Sequence, residues 1–299
     1  MGISKTKWIL PLFVLIWSSG FIVARYGMPH SEPMTFMFLR FFGVICIMLP
    51  IIFFTKPVWP SQVQIMHIAV AGLFLQFGYL GGVWSGVKIG MPAGLSSLIV
   101  GLQPILTALF ASFVAEKVTR IQWFGLVLGF VGVVIVLFSK VHVQGLTPLA
   151  LFFTASALVS ITFGTLYQKR YCAHFDLRTG SLIQFTTSAF LAGIFALCFE
   201  SRQVEWAPEM VGALLWSILP ISIGAMSLLF ILIRSGDATK LSSVLYLTPP
   251  TKFVLAWILF HEALSAQIIL GTMATVLGVW LVNQNSLPKF VLNILNQLK

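Results

Sequence analysis

Long hydrophobic runs separated by short polar stretches dominate the pattern of this chain. Ten runs are long enough to cross the roughly 30 Å hydrocarbon core of a bilayer as helices. Helices are expected because a lone apolar strand cannot satisfy its backbone hydrogen bonds in lipid. Each run is also too continuously apolar for a strand of a membrane barrel. The predicted spans 1 to 10 are Trp8–Tyr26, Met34–Phe54, Val63–Val87, Pro92–Val114, Ile121–Phe138, Pro148–Gln168, Thr179–Phe199, Pro208–Ile233, Leu241–Phe260 and Ser265–Val282.

The pattern occurs twice. Residues 90–136 align without a gap with residues 236–282 when the chain is shifted by 146 positions. The shift superimposes Ser, Pro, Glu and Gly as well as apolar residues, which indicates an internal duplication. Spans 1 and 6 match more weakly at a shift of 144, which places Ser18 on Thr162 and Gly20 on Gly164. Matched pairs at 146 include Ser96/Ser242, Pro104/Pro250, Glu116/Glu262, Gly125/Gly271 and Gly132/Gly278.

Each half contains five predicted spans, so the second half enters the membrane from the opposite side. Inverted repeats of this kind are common in secondary transporters, whose substrate site lies near the bilayer midplane between the halves. The sequence therefore predicts an all-α integral membrane protein with ten transmembrane helices arranged as two five-helix inverted repeats. The first repeat is predicted at 1–140 and the second at 141–285. Residues 286–299 are expected to form a short cytoplasmic tail, either amphipathic or disordered.

Composition and charge support a membrane location. The chain is 58% hydrophobic and only 9% charged, whereas about a quarter of the residues in a soluble domain are charged. Twelve Lys and Arg residues lie on the side of the predicted N-terminus, and four lie on the other side. The excess of positive charge predicts that both termini are cytoplasmic. The same loops account for the net charge of +10, so we do not expect a nucleic-acid partner.

The acidic residues give no sign of catalysis. All eight lie in loops or at the ends of predicted spans. A proton-driven carrier often uses a buried carboxylate as its relay, so we expect transport that is not coupled to protons through a carboxylate. The five histidines are also peripheral, and the three cysteines lack metal-ligand spacing. We therefore predict no enzyme activity, no cofactor and no metal site.

Polar and aromatic side chains at the depth of the membrane are the candidates for a binding site. On span 4, Ser96, Gln103 and Thr107 fall on one helical face. They could pack against other helices, as small polar residues often do, but the larger Gln103 is better suited to line a cavity. Similar reasoning selects Gln76 and Tyr79 on span 3. Trp17 on span 1 and Tyr246 on span 9 complete this group.

Two cations fall inside predicted spans. Arg40 lies about a turn and a half into span 2, close enough to the boundary for its side chain to snorkel to the interface, and a structural role is favoured. Lys252 lies near the middle of span 9, where an unpaired charge is costly. It is either a neutral or carbonyl-bonded lysine in a crevice or an anchor for an anionic substrate group. We favour the anchor.

Several short motifs resemble one family of carriers, the EamA-type transporters of the drug/metabolite transporter superfamily. The resemblance covers nearly the whole chain and implies ten helices, a bacterial cytoplasmic membrane, and export or exchange of small metabolites such as amino acids. The chain departs from the family at Lys252, where an apolar residue is usual, and at His261, where Gly is common. The motifs are residues 16–21 (Ile-Trp-Ser-Ser-Gly-Phe), Leu102-Gln103-Pro104, Glu116 before Gln122-Trp123 and Gly125, Leu247-Thr248-Pro249-Pro250, and Ala256-Trp257 before Glu262.

We therefore predict a secondary transporter that exports or exchanges small organic metabolites by alternating access, with amino acids, including bulky or aromatic ones, as substrates. A multidrug exporter for cationic compounds is the first alternative, although the lack of a buried acid opposes it. A membrane enzyme acting on lipid-linked substrates is less favoured. The expected partners are a small-molecule substrate and the lipid bilayer, and the sequence leaves monomer and dimer open. The predicted substrate-binding residues are Trp17, Gln76, Tyr79, Gln103, Tyr246 and Lys252.

Overall fold

The computed structural model describes residues 3–111, 119–140, 146–172, 175–225, 227–228, 251–252, 254–255, 257–261 and 265–282, and every regular element among them is helical. Two π-helical segments interrupt the α-helices: the first π segment, Leu73–Gly78, and the second π segment, Ser217–Ala225. Residues 251–252, 254–255 and 257–260 are also helical. The helices are α1 (Ile3–Ser18), α2 (Gly20–Gly27), α3 (Pro33–Thr55), α4 (Gln62–Gly72), α5 (Tyr79–Lys88), α6 (Ala93–Val100), α7 (Gln103–Ala111), α8 (Arg120–Lys140), α9 (Pro148–Tyr171), α10 (Leu177–Phe199), α11 (Pro208–Trp216) and α12 (Ala266–Val282).

The described helices are those of a membrane protein. Five stretches are long and apolar enough to cross a bilayer, and four shorter apolar helices accompany them in the same described regions. Large hydrophobic side chains such as Phe54, Phe138 and Leu270 point outward, where a bilayer would solvate them. The predicted all-α membrane class is confirmed. The predicted helix count, the orientation of the termini and the repeat boundaries stay predictions. The tail from residue 283 and the first half of span 9 (residues 241–250) lie outside the described residues.

Two of the predicted spans are each divided into two helices. Span 1 breaks at Ser19, whose hydroxyl donates to the carbonyl of Ile16 at 2.7 Å. Span 4 breaks at residues 101–102, between α6 and α7. The break lies directly before Pro104, which has no amide hydrogen to donate to the carbonyl of Val100. A continuous helix was therefore the wrong expectation for both spans.

The two π segments occupy matching places in the two halves. A shift of 146 carries residues 73–78 onto residues 219–224, inside the second π segment. A π turn leaves backbone carbonyls without their usual partners, and in both segments a serine hydroxyl compensates. Ser160 donates to the carbonyl of Phe74 at 2.9 Å, and Ser222 donates to the carbonyl of Ser217 at 2.8 Å. Because π segments are rare and are often found at functional sites, their repetition draws attention to this part of the bundle.

Helices α8 and α12 pack antiparallel with their backbones almost touching. A Cβ atom on Gly132 would lie 2.5 Å from the carbonyl oxygen of Gly271, and one on Gly278 would lie 2.5 Å from that of Gly125. These four glycines form two matched pairs at the shift of 146. Each of the two contacts therefore becomes the other when the halves are exchanged. Only glycine allows backbones to approach so closely.

The two halves are related by a pseudo-two-fold axis that passes near the centre of this helix pair. The Thr275 hydroxyl approaches the carbonyl of Gly129 at 3.5 Å, and these two residues are themselves separated by 146 positions. A residue that touches its own counterpart in the other half lies next to a pseudo-two-fold axis. Because the helices run in opposite directions, this axis is perpendicular to them, as an inverted repeat in a membrane requires.

Candidate functional site

A cavity of about 320 Å³ lies between the two halves of the chain. Both π segments contribute to its wall at matched positions, with Leu75 and Gln76 from the first and Ile221 and Ser222 from the second. The other walls come from α1, α2, α3, α5, α7, α9 and α10. The lining residues are Trp17, Gly20, Phe21, Arg40, Leu75, Gln76, Tyr79, Leu80, Val83, Trp84, Gln103, Ile161, Thr165, Gln168, Gln184, Phe185, Ile221 and Ser222.

Four of the six predicted site residues, from four separate elements, meet in this cavity: Trp17, Gln76, Tyr79 and Gln103. The Gln103 amide donates from Nε2 to the Thr165 hydroxyl of α9 at 2.9 Å, which fixes its orientation across the cavity. Their assignment to substrate binding stays a prediction, but the structure places them around one space.

The polar stripe predicted on span 4 is divided by the break between α6 and α7. Gln103 lies after the break and lines the cavity, whereas Ser96 lies before it, is fully buried and is not part of the wall. The Ser96 hydroxyl has no hydrogen-bond partner among the described residues. The predicted polar face is therefore interrupted at residues 101–102, and Gln103 lines the cavity while Ser96 does not.

The two predicted residues of span 9 stand apart from the other four. Tyr246 lies outside the described residues. Lys252 is buried, and its Nζ atom lies 4.1 Å from the centroid of the Phe21 ring. Phe21 lines the cavity, whereas Lys252 does not.

Arg40 does not reach the membrane interface, as the sequence predicted it would. Its side chain does not snorkel to the interface: it is 5% exposed and lines the cavity. Nη2 and Nε both approach the Ser222 hydroxyl oxygen, at 3.1 and 3.4 Å. The guanidinium carbon lies 5.7 Å from the centroid of the Trp84 ring, within the range of a cation–π contact. Depth along the helix did not reveal this, because Arg40 faces the bundle rather than the lipid.

An amide pair also lines the cavity. Gln184 of α10 donates from Nε2 to Oε1 of Gln168 on α9 at 3.2 Å, and both side chains line the cavity. Arg40 and Gln184 have equivalent positions, since each lies eight residues after the residue that precedes its helix, Glu32 and Asp176 respectively. The weak repeat at a shift of 144 could therefore have revealed Gln184 as a site residue.

Among the described residues, the cavity has cationic and amide groups but no acid. No carboxylate lines it, and no group of three His, Cys, Asp or Glu side chains in the described part could hold a metal ion. Aromatic rings complete the wall, including Phe185, which packs on Phe41 at a centroid distance of 5.7 Å. The arrangement can therefore bind polar and anionic groups against an apolar, aromatic surface.

Buried side chains pack beside the cavity at Trp84, on the side that the charge distribution predicts to be the outer one. Trp84 packs on Phe36 at a centroid distance of 4.5 Å, and both side chains are almost fully buried. Val87 and Met28 lie in the same hydrophobic cluster. Lys88 at the end of α5 donates from Nζ to the carbonyl of Met28 at 2.6 Å. We refer to this group as the outer seal.

Two carboxylates join the loops above the outer seal. Glu200 accepts hydrogen bonds from the backbone amides of Met34 and Thr35, at 2.8 and 2.7 Å, and so caps the first turn of α3. Glu32 accepts from both the amide and the hydroxyl of Ser201, at 2.6 and 2.7 Å. The hydrogen bond from the Ser201 hydroxyl is the main cause that lowers the pKa of Glu32. The loop before α3 is thereby held to the loop after α10.

A second, larger space is not a comparable site. A groove of about 620 Å³ runs between α1, α2 and α11, and its wall is almost entirely apolar. Several of its residues, including Leu12, Leu15 and Trp216, are exposed on the outside of the bundle. A small-molecule site needs a few placed polar groups in an apolar wall, and the 320 Å³ cavity has them.

Comparison with known proteins agrees with this architecture. "Uncharacterized transporter YvbV" of Bacillus subtilis (strain 168) is 27% identical over 293 residues, which cover 95% of this chain and 93% of the relative. "Probable amino-acid metabolite efflux pump" of Salmonella typhimurium is 23% identical over 290 residues, covering 93% and 94%. A solved structure described as "Crystal structure of protein" matches with a TM-score of 0.66 at 19% identity, covering 94% of this chain and 97% of that one. At this identity the structural likeness shows the fold alone.

The family itself is shown by a direct match to its sequence model. The model of the EamA-like transporter family matches two segments, residues 7–138 and residues 148–284. Together these segments span nearly the whole sequence, and each contains one π segment and one wall of the cavity. The chain belongs to the EamA-like transporter family.

Proposed function

We propose that the protein exports or exchanges small organic metabolites, and that its substrates are amino acids, including bulky and aromatic ones. It works by alternating access in a bacterial cytoplasmic membrane, with both termini in the cytoplasm. The observation that carries this proposal is the composition of the 320 Å³ cavity, where amide, cationic and aromatic side chains from both halves meet at the matched π segments.

The size and chemistry of the cavity suit one amino acid. Ligand cavities range from about 300 to 1,000 Å³, so this one is among the smaller and favours a compact solute. Trp17, Tyr79 and Phe185 offer ring faces for an apolar or aromatic side chain, and Gln76 and Gln184 offer amide groups for its polar end. The printed name of the Salmonella relative supports the same class of substrate.

The proposed mechanism of alternating access is a rocking of the two halves of the chain. Transporters built from inverted repeats expose their site to each side in turn by rocking one half against the other. In the proposed cycle, the outer seal and the carboxylate contacts above it close one side of the cavity. In the opposite conformation these contacts open, while the glycine contact between α8 and α12 stays on the axis and lets the halves pivot.

The two alternatives receive less support. An exporter of cationic drugs would place an acid beside its substrate, whereas the described wall carries Arg40 and no carboxylate. A membrane enzyme would group charged or metal-binding residues near one interface, and the described residues contain no such metal-binding group. The family name and the names of the relatives also favour transport over catalysis.

Counterflow in liposomes tests the proposal. The purified full chain is reconstituted into vesicles loaded either with pooled unlabelled amino acids or with an unlabelled cationic drug. Uptake of labelled phenylalanine and leucine, or of the labelled drug, is then followed against the matching load. We expect transient accumulation of the amino acids and none of the drug. Accumulation of the drug alone, or turnover of a lipid-linked precursor without any counterflow, would overturn the proposal.

Two glycine variants provide a matched control. Gly20 lines the cavity, and a Cβ atom built on it has Cδ1 of Ile221 as its nearest neighbour, 4.0 Å away. Gly212 lines the 620 Å³ groove instead, and a Cβ atom built on it meets nothing within 4 Å. Gly20→Leu should fill the cavity and abolish counterflow. Gly212→Leu adds the same bulk outside the cavity and should leave counterflow nearly unchanged.

A further inference from the structure

We infer that Arg40 binds the carboxylate of the substrate, so that the transporter selects solutes that carry an anionic group at one end. This inference rests on the proposed function, because it assigns a role within the same cavity. It moves the anionic anchor from Lys252, which the sequence favoured, to a residue on α3.

The position of Arg40 is that of a binding residue. Its side chain lines the cavity, yet it is almost completely removed from solvent. Its hydrogen bonds within the described part of the chain all go to a single atom, the hydroxyl oxygen of Ser222. A guanidinium group has five N–H donors, and Nη1 takes part in none of these bonds. Donors are therefore left for a ligand in the cavity.

The charge of Arg40 calls for an anion. A buried cation is costly unless a partner or water compensates it. Within the described residues, no carboxylate lines the cavity, and the acids that the structure describes lie in loops or at helix ends. The Trp84 ring at 5.7 Å and the Phe41 ring at 6.0 Å stabilise the charge in part through cation–π contacts. A substrate carboxylate would supply the missing negative charge, and the planar fork of arginine matches it with two parallel hydrogen bonds.

Ser222 holds the guanidinium in place. Its hydroxyl donates to the carbonyl of Ser217, so its oxygen is free to accept from Arg40. Both serines belong to the second π segment, so the backbone of that segment sets the direction of the Ser222 hydroxyl. The backbone irregularity of one half thus orients the charged side chain contributed by the other half.

The other half gives the site its direction. Gln184 occupies in the second repeat the position that Arg40 occupies in the first, and it carries an amide instead of a charge. The carboxylate end of the substrate therefore lies at Arg40, and its amino or other polar end lies towards Gln184 and Gln168. Because these matched positions differ between the halves, the cavity binds its substrate in one orientation.

The test uses three probes with the same phenyl ring: phenylalanine, 3-phenylpropionate and phenethylamine, which lacks the carboxylate. Binding to the purified full chain is measured by isothermal titration, and transport is measured by counterflow. In the wild type, both carboxylates should bind more tightly than phenethylamine. Arg40→Gln should weaken both carboxylates about ten- to hundred-fold, as expected for lost charged hydrogen bonds, and change phenethylamine little.

Further variants separate binding from structure. Arg40→Lys keeps the charge but loses the fork, so its loss for carboxylates should be smaller than that of Arg40→Gln. Ser222→Ala removes the hydrogen bond that orients the guanidinium but keeps its charge, so it should weaken both carboxylates less than Arg40→Gln does and leave phenethylamine nearly unchanged. If Arg40 only pins α3 to the second π segment, Ser222→Ala will weaken all three probes as much as Arg40→Gln does, and the inference is overturned.

A measurement on the unmutated protein covers the case in which the variants do not fold. Phenylglyoxal modifies arginine side chains, and peptide mass spectrometry identifies the modified positions. We expect 3-phenylpropionate to protect Arg40 from modification and phenethylamine to give no protection. Equal modification of Arg40 with and without 3-phenylpropionate would overturn the inference.

The outcomes also distinguish this inference from the proposed function. If phenylalanine is transported equally well by the wild type and a folded Arg40→Gln variant, the proposed function stands and the inference fails. If 3-phenylpropionate is bound in an Arg40-dependent manner but no amino acid is transported, the inference stands and the amino-acid proposal fails.

Discussion

The α8–α12 helix pair and the cavity both contain residues that match between the two halves of the chain. The matched residues are in contact in the helix pair but line opposite halves of one space in the cavity. In the helix pair, matched residues touch each other across the axis, as Gly129 and Thr275 do. In the cavity, matched residues face the same space from two sides and have diverged, as Gln76 and Ser222 have. Contact across an axis constrains both partners at once, whereas a shared space allows each half its own chemistry. The symmetric region is therefore expected to govern stability and the asymmetric region to govern selectivity.

The largest effect should come from breaking the symmetric contact. In Gly278→Ala the new Cβ atom meets the carbonyl oxygen of Gly125 at 2.5 Å, and backbone atoms cannot move aside as a side-chain tip can. Overpacking in a close contact costs about 1–3 kcal/mol, so the variant should unfold at a markedly lower temperature in detergent. Gly212→Ala, whose Cβ atom meets nothing within 4 Å, is the control and should unfold with the wild type. Equal unfolding temperatures for both variants would contradict the close contact.

A smaller effect is expected on the asymmetric side. Gln103→Leu removes an amide from the cavity and its 2.9 Å hydrogen bond to Thr165. A hydrogen bond contributes about 0.5–1.5 kcal/mol, so phenylalanine should bind roughly two- to tenfold more weakly while the unfolding temperature changes little. Thr165→Val breaks the same bond but keeps the amide and should weaken binding less. A loss of stability in Gln103→Leu without a loss of affinity would assign this residue to packing.

Lys252→Met should have a still smaller effect on binding. The Nζ atom of Lys252 packs on the Phe21 ring and does not line the cavity. A buried cation–π contact contributes about 2 kcal/mol or more, but this one holds the Phe21 ring and not the substrate. Its loss should therefore lower the unfolding temperature and change the affinity for carboxylates by less than about twofold. Isothermal titration with 3-phenylpropionate measures it beside Arg40→Gln. A loss as large as that of Arg40→Gln would restore Lys252 as an anchor, as the sequence indicated.

The smallest effect is expected from a pH gradient. No carboxylate lines the described wall of the cavity, so no acid there can carry a proton from one side to the other. Phenylalanine exchange in liposomes should therefore change little when a gradient of one pH unit is imposed in either direction. Strict dependence of exchange on that gradient would show that a titrating group takes part in the cycle.

Sequence patterns predicted the parts of this protein that depend on hydrophobicity and repetition. The membrane class follows from run length. The shift of 146 paired the glycines of the α8–α12 contact, although the contact itself was seen only in the structure. Trp17, Gln76, Tyr79 and Gln103 line one cavity, as expected for polar and aromatic groups at membrane depth, which must face protein or water. Their role in binding stays a prediction.

The features that were missed depend on which way a helix faces. Arg40 was placed near the interface because hydropathy gives depth along a span but not the direction of a side chain. The π segments have no clear compositional signal, since the first contains no proline and differs little from the α-helices on either side. Gln184 could have been predicted, but only if the weaker shift of 144 had been extended from spans 1 and 6 to spans 2 and 7.

The matching positions of the two π segments bear on the order of events in the evolution of the chain. An extra residue inserted separately into each half would be expected at unrelated places, whereas one inserted before the gene doubled is inherited by both halves at the same place. The irregular turn is therefore older than the duplication, and each half of the cavity wall inherited it.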